Sequence, residues 1–227
     1  MSERPYTLLS CSMSLDGYLG DQTPRLPLSN DADFDRVDEV RASCDAIMVG
    51  AVTVRTDNPR LLVRSPVRRR ERTARGLPAS PKKITVTNRV DLDASSNFFT
   101  AGESEKLVYT PSSCVEDARA RLGPAATVVD GGLRVRMRWL TEDLGDRGVE
   151  RLMVEGGGVV HTQFLADELA DELQLVVAPI FVGDSSSPRF VRDGRFPWNA
   201  HRRATLAEVR QLGDVVLLRY ALSRRFE

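Results

Sequence analysis

The chain has 227 residues, a length that fits one large domain or two small ones with a sizeable core. Its 32 Lys and Arg residues balance 32 Asp and Glu residues, so no overall charge favours nucleic acid or a membrane surface as a partner. The polar N-terminus has no apolar h-region, and no apolar run approaches the length of a membrane span. The three cysteines and two histidines are widely spaced, which offers no metal site and fits a reducing cytoplasm.

The first elements are predicted to be a strand and a helix. Tyr6–Met13 is an apolar run without a helical stripe, and it ends in the turn Ser14-Leu15-Asp16-Gly17. Asp31 can cap a helix that follows. The predicted core face of that helix consists of Phe34, Val37 and Val40, with Cys44 as a further candidate one turn on. Arg41, at the edge of this face, either reaches inward or is an ordinary solvated arginine.

A second strand leads into a short helix with polar side chains. Ala46–Gly50 looks like a fully buried strand that closes on glycine. In the helical turn that follows, Thr53 and Asp57 lie four residues apart and therefore on one face. A strand end, a glycine and these two side chains can hold a polar ligand. The alternative is a capped turn without a ligand, which would show the same sequence pattern.

The arginine-rich run 68–75 has no apolar periodicity, which favours a solvated loop. A phosphate-binding arm is the alternative, and the lack of interleaved aromatic residues argues against nucleic acid. Lys83–Thr87 is predicted to be a strand. Thr87 and Arg89 at its carboxyl end could hold a 2′-phosphate or could be ordinary turn residues.

The stretch Val154–Val160 reads Val-Glu-Gly-Gly-Gly-Val-Val, between a short apolar run and a helical pattern. Three consecutive glycines leave backbone N–H groups unobstructed by Cβ atoms, and a helix start adds its own unpaired N–H groups. This arrangement suits a phosphate or pyrophosphate. Glu155 lies at the strand's carboxyl end, where ligands of open α/β sheets bind. A tight turn without a ligand is the alternative.

Strands and helices alternate through the middle of the chain, and its end is rich in strands. Glu172–Val182 is strongly β, and Ala204–Arg210 with Val215–Leu222 predict an antiparallel hairpin. We therefore expect residues 1–227 to form a single α/β domain with a mixed, mostly parallel central sheet, flanking helices and a C-terminal antiparallel hairpin.

Five motifs occur in order along the chain. They are Ser14-Leu15-Asp16-Gly17; Arg41-Ala42 with Asp45–Gly50; Thr53-Val54 with Asp57-Asn58-Pro59 and Leu61; Val154-Glu155-Gly156-Gly157; and Ala178-Pro179 with Gly183. In this order and spacing the chain resembles the reductase domain of bacterial riboflavin biosynthesis, the RibD C-terminal domain family, whose fold is like that of dihydrofolate reductase. The resemblance covers roughly Tyr6 to Leu222.

The resemblance implies a stand-alone, cytoplasmic, NADPH-dependent reductase that acts on a ribosylamino-pyrimidine 5′-phosphate and delivers hydride to ribose C1′. It also implies a homodimer, and no metal is expected. The residues implied at the cofactor are Ser12, Gly50, Thr53, Asp57, Thr87, Arg89, Gly156, Gly157 and Gly158. Those implied at the substrate are Arg41, Leu61, Arg64 and Glu155, with the two arginines at the phosphate. Asp57 is implied to be the catalytic polar group nearest the reacting carbon.

Three positions depart from the family's pattern, and they concern the substrate side more than the cofactor side. Ser10 stands where lysine is frequent, Pro27-Leu28-Ser29 where Trp-Ile-Thr/Ser is frequent, and Asp38 where histidine is frequent. Two other functions therefore stay open. One is a related reductase of another heterocycle, such as a pterin, and the other is a non-catalytic nucleotide-binding protein.

Overall fold

The computed structural model describes residues 3–20 and 26–226. Its strands are β1 (Tyr6–Ser14), β2 (Ala46–Gly50), β3 (Lys82–Val86), β4 (Lys106–Thr110), β5 (Thr127–Asp130), β6 (Arg151–Gly156), β7 (Glu172–Ala178), β8 (Thr205–Leu212) and β9 (Val215–Ala221). Its α-helices are α1 (Asp31–Ser43), α2 (Ala51–Asp57), α3 (Pro66–Ala74), α4 (Asn97–Thr100), α5 (Val115–Leu122), α6 (Met137–Asp146) and α7 (Gly158–Ala166). The strand order of the sheet is β5-β4-β3-β2-β6-β1-β7-β9-β8.

The chain forms two compact units, of which the first consists mainly of Asp38–Met153. In this unit β2 runs parallel to β3, β3 to β4 and β4 to β5. All five residues of β2 are buried, as expected for a parallel strand covered on both faces. Because these strands are parallel, the residues that follow β2, β3, β4 and β5 emerge at the same edge of the sheet.

The second unit consists of Tyr6–Val37 and of the residues from Val154 onward. Here β1 runs parallel to β7, and β7 pairs antiparallel with β9. β8 and β9 form the predicted C-terminal hairpin, which turns at Gly213 with a φ of +64°. A left-handed φ of this kind favours glycine in a tight hairpin turn.

The predicted fold class is confirmed: the sheet is mixed and mostly parallel, helices connect its strands, and an antiparallel hairpin ends the chain. That residues 1–227 make up a single domain stays a prediction. Within residues 3–20 and 26–226, no helix is long and apolar enough to cross a membrane.

Helix α1 turns charged side chains inward, and its predicted apolar face is confirmed only in part. Cys44 is buried and Val37 and Val40 are half-buried. Phe34 is 43% exposed, whereas Asp33, Arg36 and Asp38 are buried. Arg36 Nε donates to the Asp33 carboxylate at 2.7 Å, and Asp38 pairs with Arg68 at 3.0 Å. Buried charges with such partners cost far less than unpaired ones, so pairing overrides the face that the hydrophobic pattern indicated.

The arginine-rich run 68–75 lies almost wholly in helix α3, so the predicted solvated loop is wrong. Ser65 caps this helix with its side chain. Arg72 is 2% exposed, and its guanidinium donates to three backbone carbonyls at 2.7 to 2.8 Å. Those carbonyls belong to Ala42, Cys44 and Pro78. The helix is thus anchored by a buried arginine, which a search for apolar periodicity does not detect.

Candidate functional site

The glycine turn after β6 has the predicted strand–turn–helix form. Gly156 has a φ of +121°, the Gly156–Gly157 peptide bond is cis, and Gly157 caps α7 without any side-chain hydrogen bond. No acidic residue occupies the first turn of α7. The first N–H groups of this helix therefore have no side-chain acceptor within it, which is the condition for holding an anion there. Glu155, the half-buried residue before the turn, lies at the strand's carboxyl end.

Two close contacts fix the shape of this turn. His161 is fully buried, and a Cβ added at Gly156 would lie 3.3 Å from its Cε1 atom. A Cβ added at Gly158 would lie 2.2 Å from the Arg189 carbonyl oxygen, which is closer than any real contact. Burial lowers the pKa of His161 to about 4, against weaker opposing contributions from backbone groups, so the ring is neutral near pH 7.

Ser12, also in the second unit, belongs to a partly buried chain of polar side chains. Its hydroxyl donates to the Asp33 carboxylate at 3.3 Å, and the Ser29 hydroxyl donates to the same oxygen at 2.6 Å. Arg36 Nε binds the other carboxylate oxygen, and Arg36 also donates to Gln174. Because the Ser12 proton is engaged with Asp33, its oxygen remains available to accept a hydrogen bond from a ligand.

Gly50, Thr53 and Asp57 lie together in the first unit, at the end of β2 and along α2. Gly50 is buried, Thr53 is half-buried, and Asp57 is exposed at the last position of the helix. The Thr56 hydroxyl donates to an Asp57 carboxylate oxygen at 2.8 Å, which leaves the other oxygen accessible. Asn58 then ends α2 in a left-handed conformation with a φ of +44°.

The residues implied at the substrate are partly brought together in the same unit. Arg41 Nη1 donates to the Leu62 carbonyl at 3.3 Å, which places the end of α1 against the segment that contains Leu61 and Arg64. Leu61 is buried with a φ of +48°, whereas Arg64 is exposed. Three of the four implied substrate residues therefore lie on neighbouring pieces of backbone. The fourth, Glu155, belongs to the second unit.

Thr87 and Arg89 form a local turn at the end of β3. The Thr87 hydroxyl donates to the Arg89 carbonyl and accepts the Arg89 N–H at 3.1 Å. The hydroxyl is therefore engaged in the turn, and the exposed Arg89 side chain is the part of this pair that a ligand can reach.

A cavity of about 830 Å³, which the sequence did not predict, opens at the carboxyl ends of β4 and β5. It is lined by Ser112, Asp130, Gly131, Gly132, Leu133, Arg134, Arg136 and Trp139. The Ser112 N–H donates to the Gly132 carbonyl at 2.8 Å, and the thiol of Cys114 approaches the Asn88 carbonyl at 3.7 Å. The cavity thus adjoins the Thr87–Arg89 turn. Its sequence signal was the Asp130-Gly131-Gly132 strand end with arginines after it.

Within residues 3–20 and 26–226, no cluster of His, Cys, Asp and Glu side chains could hold a metal ion. The candidate residues of the first unit are Gly50, Thr53, Asp57 and the two arginines, and those of the second unit are the glycine turn, Ser12 and Glu155. Glycine turns, hydroxyl groups, arginines and carboxylates at strand ends are typical of α/β proteins that bind nucleotides and phosphorylated small molecules.

Residues 5–218 match the RibD C-terminal domain, and the chain belongs to this family. The 2,5-diamino-6-ribosylamino-4(3H)-pyrimidinone 5′-phosphate reductase of Archaeoglobus fulgidus is 33% identical over 225 residues, which cover 98% of this chain and 99% of that protein. The reductase of the same name from Methanothermobacter thermautotrophicus is 36% identical over 181 residues, covering 79% and 80%. The predicted family and the predicted reductase class are confirmed.

Two solved structures share the fold. A pyrimidine reductase-like protein of Corynebacterium diphtheriae matches with a TM-score of 0.78 at 22% identity, covering 98% of this chain and 93% of that one. A diaminohydroxyphosphoribosylaminopyrimidine deaminase/5-amino-6-(5-phosphoribosylamino)uracil reductase of Thermotoga maritima matches with a TM-score of 0.76 at 21% identity. This chain spans 56% of that longer protein.

Proposed function

We propose that this protein is an NADPH-dependent reductase that converts 2,5-diamino-6-ribosylamino-4(3H)-pyrimidinone 5′-phosphate to its ribitylamino form in riboflavin biosynthesis. Relatives at 33% and 36% identity are named for that substrate. The structural observation that carries the proposal is the contact between Arg41 and the segment that contains Leu61 and Arg64. Two guanidinium groups on adjoining backbone suit the bidentate recognition of a phosphate.

In the proposed reaction NADPH delivers a hydride to C1′, the C1′–O4′ bond breaks and O4′ takes a proton, which leaves an open ribityl chain. Asp57 would orient substrate and cofactor or assist the proton transfer, since its carboxylate is exposed at the end of α2. Leu61 and Glu155 would contact the substrate. The cofactor supplies the hydride chemistry, and the protein supplies position and electrostatics.

The cofactor would extend along the strand ends that the sequence singled out. Ser12, Gly50, Thr53 and Asp57 would contact the nicotinamide and its ribose, and Gly156, Gly157 and Gly158 the pyrophosphate. Thr87 and Arg89 would meet the adenosine end, which would enter the adjoining cavity. There the Trp139 indole can stack on adenine, and Arg134 with Arg136 can bind a 2′-phosphate.

The first test is a titration with NADPH and NADH, followed by tryptophan fluorescence. The chain has two tryptophans, Trp139 and Trp198, so the variants Trp139→Phe and Trp198→Phe each leave a single reporter. We expect micromolar NADPH binding, much weaker NADH binding and quenching chiefly of Trp139. If neither nucleotide bound, the proposed function would be wrong.

The second test is turnover of the diamino-pyrimidinone, its deaminated counterpart and dihydrofolate, with Arg64→Ala beside the wild type. We expect turnover of the diamino compound and a KM raised at least about tenfold in the variant, because a charge-assisted contact to phosphate is lost. An unchanged KM, or turnover of dihydrofolate alone, would indicate a reductase of another heterocycle. NADPH binding without any turnover would indicate a non-catalytic nucleotide-binding protein.

The homodimer, the cytoplasmic location and the lack of a nucleic-acid partner stay predictions from the sequence. The dimer can be measured by light scattering of the purified chain.

A further inference from the structure

The backbone that leads into helix α3 is held by side chains. The Val63 N–H donates to the Ser80 hydroxyl at 3.0 Å. The next two N–H groups, of Arg64 and Ser65, both donate to the carboxylate of Asp38, the second at 3.1 Å. Three consecutive N–H groups of this irregular segment are therefore satisfied by side chains from elsewhere in the same unit, where regular secondary structure would otherwise supply acceptors.

Asp38 is an unexpected group to find here, because it is an acidic residue beside a segment proposed to bind a dianion. It is 3% exposed, and its carboxylate also accepts from Arg68 Nη1 at 3.0 Å. Burial by itself raises the pKa of Asp38. The two backbone N–H groups and the Arg68 guanidinium outweigh that effect and lower it, so the carboxylate is ionised at neutral pH.

The three contacts have different consequences. The two backbone bonds fix the peptide groups on either side of the Arg64 Cα atom, and with them the direction in which the exposed Arg64 side chain leaves the backbone. The contact with Arg68 places a positive charge beside the Asp38 carboxylate. This charge offsets the repulsion between that carboxylate and a nearby phosphate. An arginine whose backbone is already ordered loses less conformational entropy when it binds a ligand.

We infer that Asp38 is a positioning residue for phosphate recognition, which orders the backbone of Arg64 and holds Arg68 as its own counter-ion. This inference rests on the proposed function, because it concerns the phosphate of the proposed substrate. Arg68 then contributes to the site through Asp38, whereas Arg64, together with Arg41, contacts the phosphate directly.

The test compares the variants Asp38→Asn, Arg68→Gln and Ser80→Ala with the wild type. Asn retains the size of Asp38 but can accept at only one of its two polar atoms, so either the Arg64 N–H or the Ser65 N–H loses its acceptor. Arg68→Gln removes the counter-ion and keeps both backbone bonds. Ser80→Ala is the matched control, because it frees only the Val63 N–H one residue away. KM and kcat for the phosphorylated substrate, inhibition by inorganic phosphate and the Kd of NADPH are measured for each.

In Asp38→Asn we expect KM and the phosphate inhibition constant to rise together by about tenfold, with kcat and NADPH binding within about twofold of wild type. In Ser80→Ala we expect both constants to stay near their wild-type values, and in Arg68→Gln we expect a rise of about threefold, because the Asp38 carboxylate without its counter-ion repels the phosphate. If Asp38→Asn left KM unchanged while the wild type turned over the substrate, the inference would be overturned and the proposed function retained. It would also be overturned if Arg68→Gln raised KM as much as Arg64→Ala, since Arg68 would then be a direct phosphate ligand. A wild type that neither turned over the substrate nor bound phosphate would overturn the proposed function first.

Discussion

The protein should lose less stability in mild acid when His161 is replaced by leucine. The imidazole is fully buried beside the glycine turn, with its ring centroid 5.4 Å from that of Phe190. Burial lowers its pKa from 6.5 to about 4. Leucine fills a similar volume, has no proton to bind and keeps the site apolar.

The sign follows from proton binding in the two states. Between pH 6.5 and pH 4 the unfolded chain binds a proton at this histidine and the folded protein does not, so stability falls as the pH falls through this window and stops falling below it. A shift of this size corresponds to a limit of about 3 kcal/mol. At pH 5 the contribution of His161 is a loss of about 2 kcal/mol relative to pH 8.

Urea unfolding followed by circular dichroism at pH 5 and pH 8 measures this loss. The difference between the two pH values should be about 2 kcal/mol smaller in His161→Leu than in the wild type. His201→Gln is the matched control, since His201 is exposed and is the second of the chain's two histidines. Equal pH dependence in His161→Leu and the wild type would refute the reasoning.

Three further changes test other parts of the structure. Gly158→Ala should weaken NADPH binding by about tenfold or more, because its Cβ would lie 2.2 Å from the Arg189 carbonyl oxygen, whereas Gly20→Ala, with no neighbouring atom within 4 Å, should leave the Kd unchanged. Arg72→Met should lower the free energy of unfolding by about 3 kcal/mol, since three backbone carbonyls lose their donor; equal urea midpoints for variant and wild type would contradict this. Burial lowers the pKa of Lys83 to about 8, so its contribution should make stability rise between pH 8 and pH 10.5, and Lys83→Met should lack that rise in parallel urea titrations.

The sequence by itself determined the elements whose signals are local. The β2 run Ala46–Gly50, the glycine turn at 156–158 and the hairpin at Gly213 were all predictable, because burial on both faces, glycine conformations and turn chemistry depend on neighbouring residues. The order of five motifs along the chain then identified the family, which the match over residues 5–218 confirmed.

Only the tertiary structure decided where the charges go. Asp33, Arg36 and Asp38 lie on the inward face of α1, and Arg72 is buried. Each finds a partner that is distant in sequence: Ser12 for Asp33, Gln174 for Arg36, Arg68 for Asp38 and the Cys44 carbonyl for Arg72. Hydrophobic periodicity assigns charged residues to solvent, because it contains no information about partners from other parts of the chain.

The cavity at the ends of β4 and β5 could not be predicted from the sequence either, because its lining residues come from separate parts of the chain. Ser112 and Trp139 are 27 positions apart in the sequence, and only the parallel pairing of the two strands brings their ends to one edge of the sheet. A sequence pattern is local, whereas a cavity and a buried ion pair are built from residues that the fold brings together.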